Sequence, residues 1–230
     1  MLDRNAVEKL IRESVKRSRR SRREYHLFGR ILVSVKGDIS PNVDFDKIII
    51  DIEKHLPEHL LEEVDDIFIG SFSENDSRAL EAHYESGAIY ITSDLASNHD
   101  YVENIVHETA HAIEGRMGLT IYGDGKLEGE FLGKRERLAA RIKAEAFDIS
   151  GLDFGDPEYS KKLDLFLYEE VGYEKLTNLT MGLFYSPYAS TSLREYFANG
   201  FEAYFLGQRE YLPKIGQHLF IKLEEIITGE

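Results

Sequence analysis

The sequence predicts an α+β fold, with a small mixed sheet in the N-terminal half and a mostly helical C-terminal half. Short β-branched runs recur between residues 31 and 92, and turn-forming residues separate them. A stretch with helical apolar spacing lies among these runs, and longer stretches rich in Ala, Leu and charged residues follow residue 126. The chain has 230 residues, 42% of them hydrophobic, and no internal repeat or linker, so we expect one domain over residues 1–230.

The predicted elements of the N-terminal half alternate between helix and strand. Strands are predicted at residues 31–35, 66–72, 80–84 and 88–92, and Glu85-Ser86-Gly87 has the composition of a hairpin turn between the last two. Helices are predicted at residues 44–55 and, after Pro57, through Val64. After the sheet, helices are predicted at residues 126–148, 159–171 and 192–205.

The first 28 residues are predicted to form a basic, helical N-terminal arm. The whole chain has a net charge of −14, but residues 1–30 contain ten Lys or Arg and only four Asp or Glu. Six positive charges lie within residues 16–23, a density that could bind nucleic acid or an acidic partner. We favour a solvated helix face that balances an acidic body, because no aromatic interleaving or nucleic-acid module follows and that body would repel phosphates.

Composition also limits the chemistry and the location of the protein. The chain has no cysteine, so disulfides and thiolate-bound metals are excluded, and any metal site must use His, Asp, Glu or Tyr. No signal peptide or membrane span is recognisable, because the first apolar runs are short and interrupted by charges. We therefore expect a soluble protein without a membrane partner, located in the cytoplasm or carried in a particle rather than secreted by the classical route.

Residues 107–111 carry the pattern H-E-x-x-H, formed by His107, Glu108 and His111. Two histidines four residues apart on a helix point in the same direction, because four residues make slightly more than one turn. They can share one Zn²⁺ ion, which in catalytic sites has three protein ligands and one open position. Glu108 could take a proton from a water in that position and pass it to a leaving group. The pattern is therefore typical of a zinc hydrolase.

The surrounding residues predict that this motif lies on a partly buried helix. Ser97 or Asn98 can cap its N-terminus, and Gly115 or Gly118 can end it. Its apolar side is formed, at helical spacing, by Val102, Ile105, Val106, Ala110 and Ile113. The alternative is a surface helix whose two histidines have no function.

A third ligand must come from a distant part of the chain, and Glu195 is the leading candidate. Ser192 can cap a helix and place Glu195 in its first turn, facing a cleft if the aromatic residues of that helix face the core. Those aromatic residues are Tyr196, Phe197, Phe201 and Phe205. One alternative is a capping box over residues 192–195, in which the Glu195 carboxylate would bond its own helix end. Glu145 and Glu202 are the other acids that could complete the site.

These two motifs resemble those of the gluzincin metallopeptidases of the anthrax lethal factor type, which include the Pro-Pro endopeptidases. The family pattern is H-E-x-x-H followed by Y-x-x-x-x-x-x-E, which leads into E-F-F-A-E-x-F. Tyr188 and Glu195 have this spacing, and residues 195–201 read E-Y-F-A-N-G-F. The resemblance covers residues 88–115 and 185–205, and elsewhere extends only to the order of elements.

The resemblance implies a zincin-like fold and a zinc-dependent endopeptidase that acts on a protein or peptide. The residues it assigns are the zinc ligands His107, His111 and Glu195, the general base Glu108 and the oxyanion donor Tyr188. The alternative for Tyr188 is a tyrosine that packs beside Pro187 in a turn. Asn199 stands where the family usually has a second glutamate, so any role in orienting a ligand histidine would pass to an amide.

The strand predicted just before the motif helix is a candidate for substrate binding. An extended peptide can add to a free strand edge through main-chain hydrogen bonds. We expect this binding along Ala88, Ile89, Tyr90 and Ile91, with an ordinary interior strand as the alternative. An isolated histidine in a strand is more often structural than a ligand, so we expect no metal-binding role for His83.

Two other functional hypotheses belong to different classes. One is a non-catalytic interaction or structural component, part of a larger particle, that retains a zincin fold. The other is nucleic-acid binding through residues 16–23, with strongly salt-dependent affinity. The complete set of predicted site residues favours the enzyme.

Overall fold

The computed structural model describes residues 22–71, 81–207 and 209–229. They form a five-stranded mixed sheet in the N-terminal half and a mostly helical C-terminal half. The predicted α+β class is therefore confirmed. Within these ranges, none of the helices has both the length and the apolar character needed to cross a lipid bilayer.

The sheet combines parallel and antiparallel pairing. Its strands are β1 (Arg22–Leu27), β2 (Ile31–Lys36), β3 (Asp66–Gly70), β4 (Ala82–Glu85) and β5 (Ala88–Thr92). Their spatial order is β1-β2-β3-β5-β4. The pairs β2–β3 and β3–β5 are parallel, whereas β1–β2 and β4–β5 are antiparallel hairpins. The strands predicted at 31–35 and 88–92 are confirmed almost to the residue.

Strand β1 differs from the sequence prediction, which extended a helical arm to residue 28. Tyr25 and Leu27 are sheltered while Glu24 and His26 are exposed, and this two-residue alternation is that of a strand. Phe28 and Gly29 both have positive φ angles, which turns the chain back into β2. The rest of the arm, with most of the basic cluster, lies outside the described residues.

Helix α1 (Phe45–His55) begins where the apolar spacing predicts it. The Asp44 carboxylate caps it by accepting a hydrogen bond from the Lys47 N–H at 3.4 Å. The Phe45 ring packs against Tyr25 and Tyr101, with centroid distances of 5.5 and 5.2 Å. The second predicted helix, after Pro57, is only a short 3-10 helix at Glu58–Leu61.

Helix α2 (Asn98–Tyr122) carries the H-E-x-x-H motif and is longer than predicted. Its start is a reciprocal cap, in which the Ser97 hydroxyl accepts from the Asp100 N–H and the Asp100 carboxylate accepts from the Ser97 N–H. The helix does not end at Gly115 or Gly118. Both glycines lie inside it, and an added β-carbon at either would meet open space among the described residues.

The C-terminal half is built from helices of very different lengths. These are α3 (Lys126–Ala144), α4 (Lys161–Leu165), a π-helix (Phe166–Gly172), α5 (Tyr173–Thr180), α6 (Leu193–Leu206), α7 (Leu212–Ile215) and α8 (Gln217–Thr228). Helix α3 ends four residues before the predicted position, and the helix predicted at 159–171 is divided into a short α-helix and a π-helix. Helix α6 matches its prediction closely.

The described residues fall into two compact units, which meet in the sequence between Ala112 and Ile113. The sheet, α1 and the first part of α2 belong to the first unit. The second unit contains the remaining helices. Because the boundary lies inside α2, the single domain inferred from the sequence stays a prediction.

Helix α3 places a lysine in the interior of the second unit. Lys134 is only 2% exposed, and its ammonium group donates to the carbonyls of Leu183, at 2.7 Å, and Ile215. It also lies 5.5 Å from the centroid of the Tyr196 ring. Burial disfavours the charged form and lowers the pKa of Lys134 to about 8.

The lowered pKa of Lys134 predicts that stability rises with pH. The unfolded chain holds the Lys134 proton up to about pH 10.5, whereas the folded chain releases it near pH 8, so deprotonation favours folding across this window. Between about pH 7.5 and about pH 9.5 the free energy of unfolding should increase by about 2 kcal/mol relative to Lys134→Met. Urea denaturation of both proteins at both pH values measures this difference. Identical pH dependence in the two proteins would contradict the assignment.

Candidate metal centre

Helix α2 presents the two motif histidines on one side. His107 and His111 are half-buried, and their ring centroids are 5.1 Å apart. The predicted apolar side of the helix is confirmed, because Val102, Ile105, Val106, Ala110 and Ile113 are each at most 4% exposed. The histidines therefore lie at the margin of a packed helix and not on a fully solvated one.

Glu108 is buried, with 6% of its surface exposed. Its neighbour Thr109 is fully buried and donates its hydroxyl hydrogen to the Ile105 carbonyl at 2.7 Å. A carboxylate in such a setting is largely shielded from bulk solvent. It is therefore well suited to a proton-transfer role.

The first turn of α6 is fixed by three hydrogen bonds. The Ser192 hydroxyl accepts from the Glu195 N–H at 3.2 Å, as an N-cap does. The Leu193 N–H donates to the Pro157 carbonyl at 2.8 Å, and the Tyr196 N–H donates to the Ser192 carbonyl at 3.0 Å. Glu195 therefore lies in the first turn, as predicted. Its aromatic neighbours Tyr196, Phe197 and Phe201 are buried, while Phe205 is partly exposed.

The structure brings His107, His111 and Glu195 together. One potential ligand atom of each lies within 4.8 Å of those of the other two. Ligand atoms around a tetrahedral zinc ion, at about 2.0–2.2 Å from it, are roughly 3.3–3.6 Å apart. Two imidazoles and one carboxylate at the observed spacing therefore fit this donor set with small side-chain adjustments.

The alternatives for the third ligand are less well placed. No other acid forms such a group with the two histidines in the described part of the chain. Glu145 instead pairs with Lys175 at 3.0 Å. The capping-box alternative for Glu195 is seen in its first half, the bond from the Glu195 N–H to the Ser192 hydroxyl.

Tyr188 lies in a 3-10 turn (Tyr188–Ser190) between Pro187 and α6, and its side chain is 38% exposed. Side chains close this turn, because the Ser190 hydroxyl donates to the Pro187 carbonyl at 2.7 Å and the Thr191 hydroxyl donates to the Tyr188 carbonyl at 2.8 Å. The backbone at Tyr188 is therefore held in place while the phenol stays accessible. Asn199, one turn after Glu195 on α6, is 6% exposed.

The predicted substrate edge is wrong, because β5 is an interior strand. Ala88–Thr92 pairs with β3 on one side and β4 on the other, so both rows of main-chain groups are used within the sheet. Ile89 and Ile91 are fully buried. The Tyr90 ring stacks on His83 with a centroid distance of 4.9 Å, which agrees with the structural role expected for that histidine. Sequence alone could not exclude this outcome, since the five residues of β5 do not show on how many sides the strand is paired.

Sequence reasoning missed a cluster next to the ligand candidates, which we call the Glu114 clamp and define as Glu114, Tyr122 and Arg194. Arg194 donates to one Glu114 carboxylate oxygen and Tyr122 donates to the other. Burial, followed by the charge of Glu114, raises the pKa of Tyr122, and the hydrogen bond to Glu114 raises the pKa of Arg194. The sequence signal that could have revealed this cluster was the position of Glu114, about one turn after His111 on the motif helix.

Removal of the Glu195 carboxylate should identify the third ligand. We expect Glu195→Gln to weaken zinc binding at least about 100-fold, because a neutral amide is a poor replacement for an anionic ligand. Titration of the metal-free protein with a competing chelator measures this affinity. Glu145→Gln and Glu202→Gln are matched controls and should stay within about threefold of the original protein. A loss in either control as large as that in Glu195→Gln would contradict the assignment.

Comparisons with known proteins add no relatives to this picture. No protein-family model, curated protein or solved structure matches the chain. The geometry of the described residues and the motif resemblance are therefore the basis for a functional proposal.

Proposed function

We propose that this chain is a zinc-dependent endopeptidase of the gluzincin type with a zincin-like fold. The observation that carries the proposal is the grouping of His107 and His111 with Glu195, which is distant from them in the sequence, in a set of donor types that zinc prefers. Of the two other residues implied by the resemblance, Glu108 lies on α2 with the histidines and Tyr188 lies in the 3-10 turn just before α6. A non-catalytic protein has no need for all five.

The chain's own residues would divide the chemistry between them. Zinc, when bound, would supply a Lewis acid for the scissile carbonyl and would make a water easier to deprotonate. The Glu108 carboxylate takes the proton of the attacking water and later donates it to the leaving amine. The Tyr188 phenol donates a hydrogen bond to the oxygen on which negative charge develops, an interaction strongest in the transition state.

The substrate in this proposal is an extended peptide or protein segment. A peptide that pairs with the sheet has to use an outer strand, because β5 already has a partner on each side. Among the described strands, β4 is the outer neighbour of β5. Main-chain pairing with such a strand gives affinity without requiring one side-chain sequence.

Glu108→Gln separates metal binding from catalysis. The amide cannot accept the proton of a water, so we expect peptide cleavage to fall about 10²- to 10⁴-fold. Zinc content should be unchanged, because this residue is not a ligand in the proposal. The assay is cleavage of a diverse peptide library, with and without a chelator, alongside metal analysis.

The control is Glu103→Gln, five residues earlier on α2, where the carboxylate pairs with His99 at 3.0 Å. Full activity is expected for it. A fully active Glu108→Gln protein would refute the mechanism. If the wild-type protein shows no cleavage, or only cleavage that a chelator does not reduce, the non-catalytic alternative is favoured.

Tyr188→Phe tests the oxyanion donor. Loss of one such donor typically costs about 10²- to 10³-fold in kcat. We expect KM to change much less, because the interaction develops in the transition state. Tyr185→Phe is the matched control, since Tyr185 has a similar exposure of 37% against 38% for Tyr188. Equal kcat values for Tyr188→Phe and the original protein would remove Tyr188 from the mechanism.

A further inference from the structure

We propose that the Glu114 clamp is a positioning device that holds the Glu195 carboxylate in place for metal binding. This inference rests on the proposed zinc site. None of its three residues is a ligand or a reacting group. Their effect would be exerted through the backbone of α6.

The clamp uses both oxygens of one carboxylate. The Nε and Nη2 atoms of Arg194 lie 2.8 and 2.7 Å from Glu114 Oε2. The Tyr122 hydroxyl donates to Glu114 Oε1. Charge-assisted bonds of this kind are shorter and stronger than neutral ones, and the planar guanidinium fixes direction as well as distance.

Burial makes this ion pair different from an ordinary surface pair. The Glu114 side chain is only 8% exposed, whereas that of Arg194 is 57% exposed. An ion pair between two exposed side chains contributes little, but removal of the partner of a buried carboxylate leaves a poorly solvated charge. Loss of Arg194 is therefore expected to displace Glu114 or the backbone that carried the guanidinium.

Two residues of the clamp, Glu114 and Arg194, lie close in the sequence to proposed ligands. Glu114 follows His111 by three residues, nearly one turn of α2. Arg194 immediately precedes Glu195 at the start of α6. Because Arg194 and Glu195 share a peptide bond, a shift of the Arg194 backbone also moves the carboxylate. Ser192 fixes the same turn from its own helix, and the clamp adds a tie to α2.

Zinc and cobalt affinities of clamp variants test this inference. We expect Arg194→Met and Glu114→Gln each to weaken binding about 10- to 100-fold, the range typical of residues that orient metal ligands. Tyr122→Phe removes one neutral donor and should weaken binding less. Arg194→Lys keeps the charge without the planar fork and should lie between Arg194→Met and the original protein.

The visible spectrum of bound Co²⁺ supplies a readout that a general loss of stability does not change. We expect its bands to shift in Arg194→Met, because the coordination geometry relaxes when Glu195 is no longer held. The matched control is Arg209→Met. The Arg209 side chain has a similar exposure, 51%, and pairs with Glu224 at 2.5 Å in another part of the helical half. This variant should leave both affinity and spectrum unchanged.

The outcomes separate the clamp from the metal site itself. If the wild-type protein binds neither zinc nor cobalt, the proposed zinc site is overturned and the clamp with it. If the wild-type protein binds zinc, and folded Arg194→Met and Tyr122→Phe both show its metal affinity and cobalt spectrum unchanged, the clamp alone is overturned. Far-ultraviolet circular dichroism and thermal melting establish whether each variant is folded. If Arg194→Met does not fold, the milder Tyr122→Phe variant still decides the test.

Discussion

The helical backbone between residues 107 and 111 is the constraint on which the candidate site depends. Two imidazoles can approach one ion only if both point to the same side of their element, and four residues of α-helix provide this orientation. The helix itself is stabilised by its other side, where Ile105, Val106 and Ala110 are completely buried. Packing of the first unit thus determines the geometry of the histidines before any ligand is considered.

The carboxylate candidate depends on a different set of interactions, in the second unit. The first turn of α6 is tied through the Pro157 carbonyl to the loop between α3 and α4. That loop is anchored in turn by Arg135, which is completely buried and donates to the carbonyls of Asp156 at 2.6 Å and Asp153 at 3.3 Å. A buried arginine bonded to backbone oxygens holds a loop rigidly, because the loop cannot move without leaving the guanidinium unsatisfied. The position of Glu195 therefore depends on a residue 60 positions away in the chain.

Local signals made much of the fold and of the site predictable. Ser97 and Ser192 marked helix starts correctly because an N-cap acts within three residues of itself. Features that depend on distant contacts were missed. The pairing of β5 on both sides is invisible in its own five residues, and α2 continues past its glycines because Ile121 is buried and Tyr122 bonds Glu114. The strand at β1 was missed because its basic residues suggested an arm, while Tyr25 and Leu27 alone carried the strand pattern.

The two glycines inside α2 also bear on how this chain could change over evolutionary time. Each leaves room for a methyl group, and alanine is favoured over glycine within a helix by about 1 kcal/mol. The present sequence thus lacks stability that single substitutions could add without touching the histidine pair. Such a reserve would allow a lineage to accept destabilising changes elsewhere, around the site itself, and still fold.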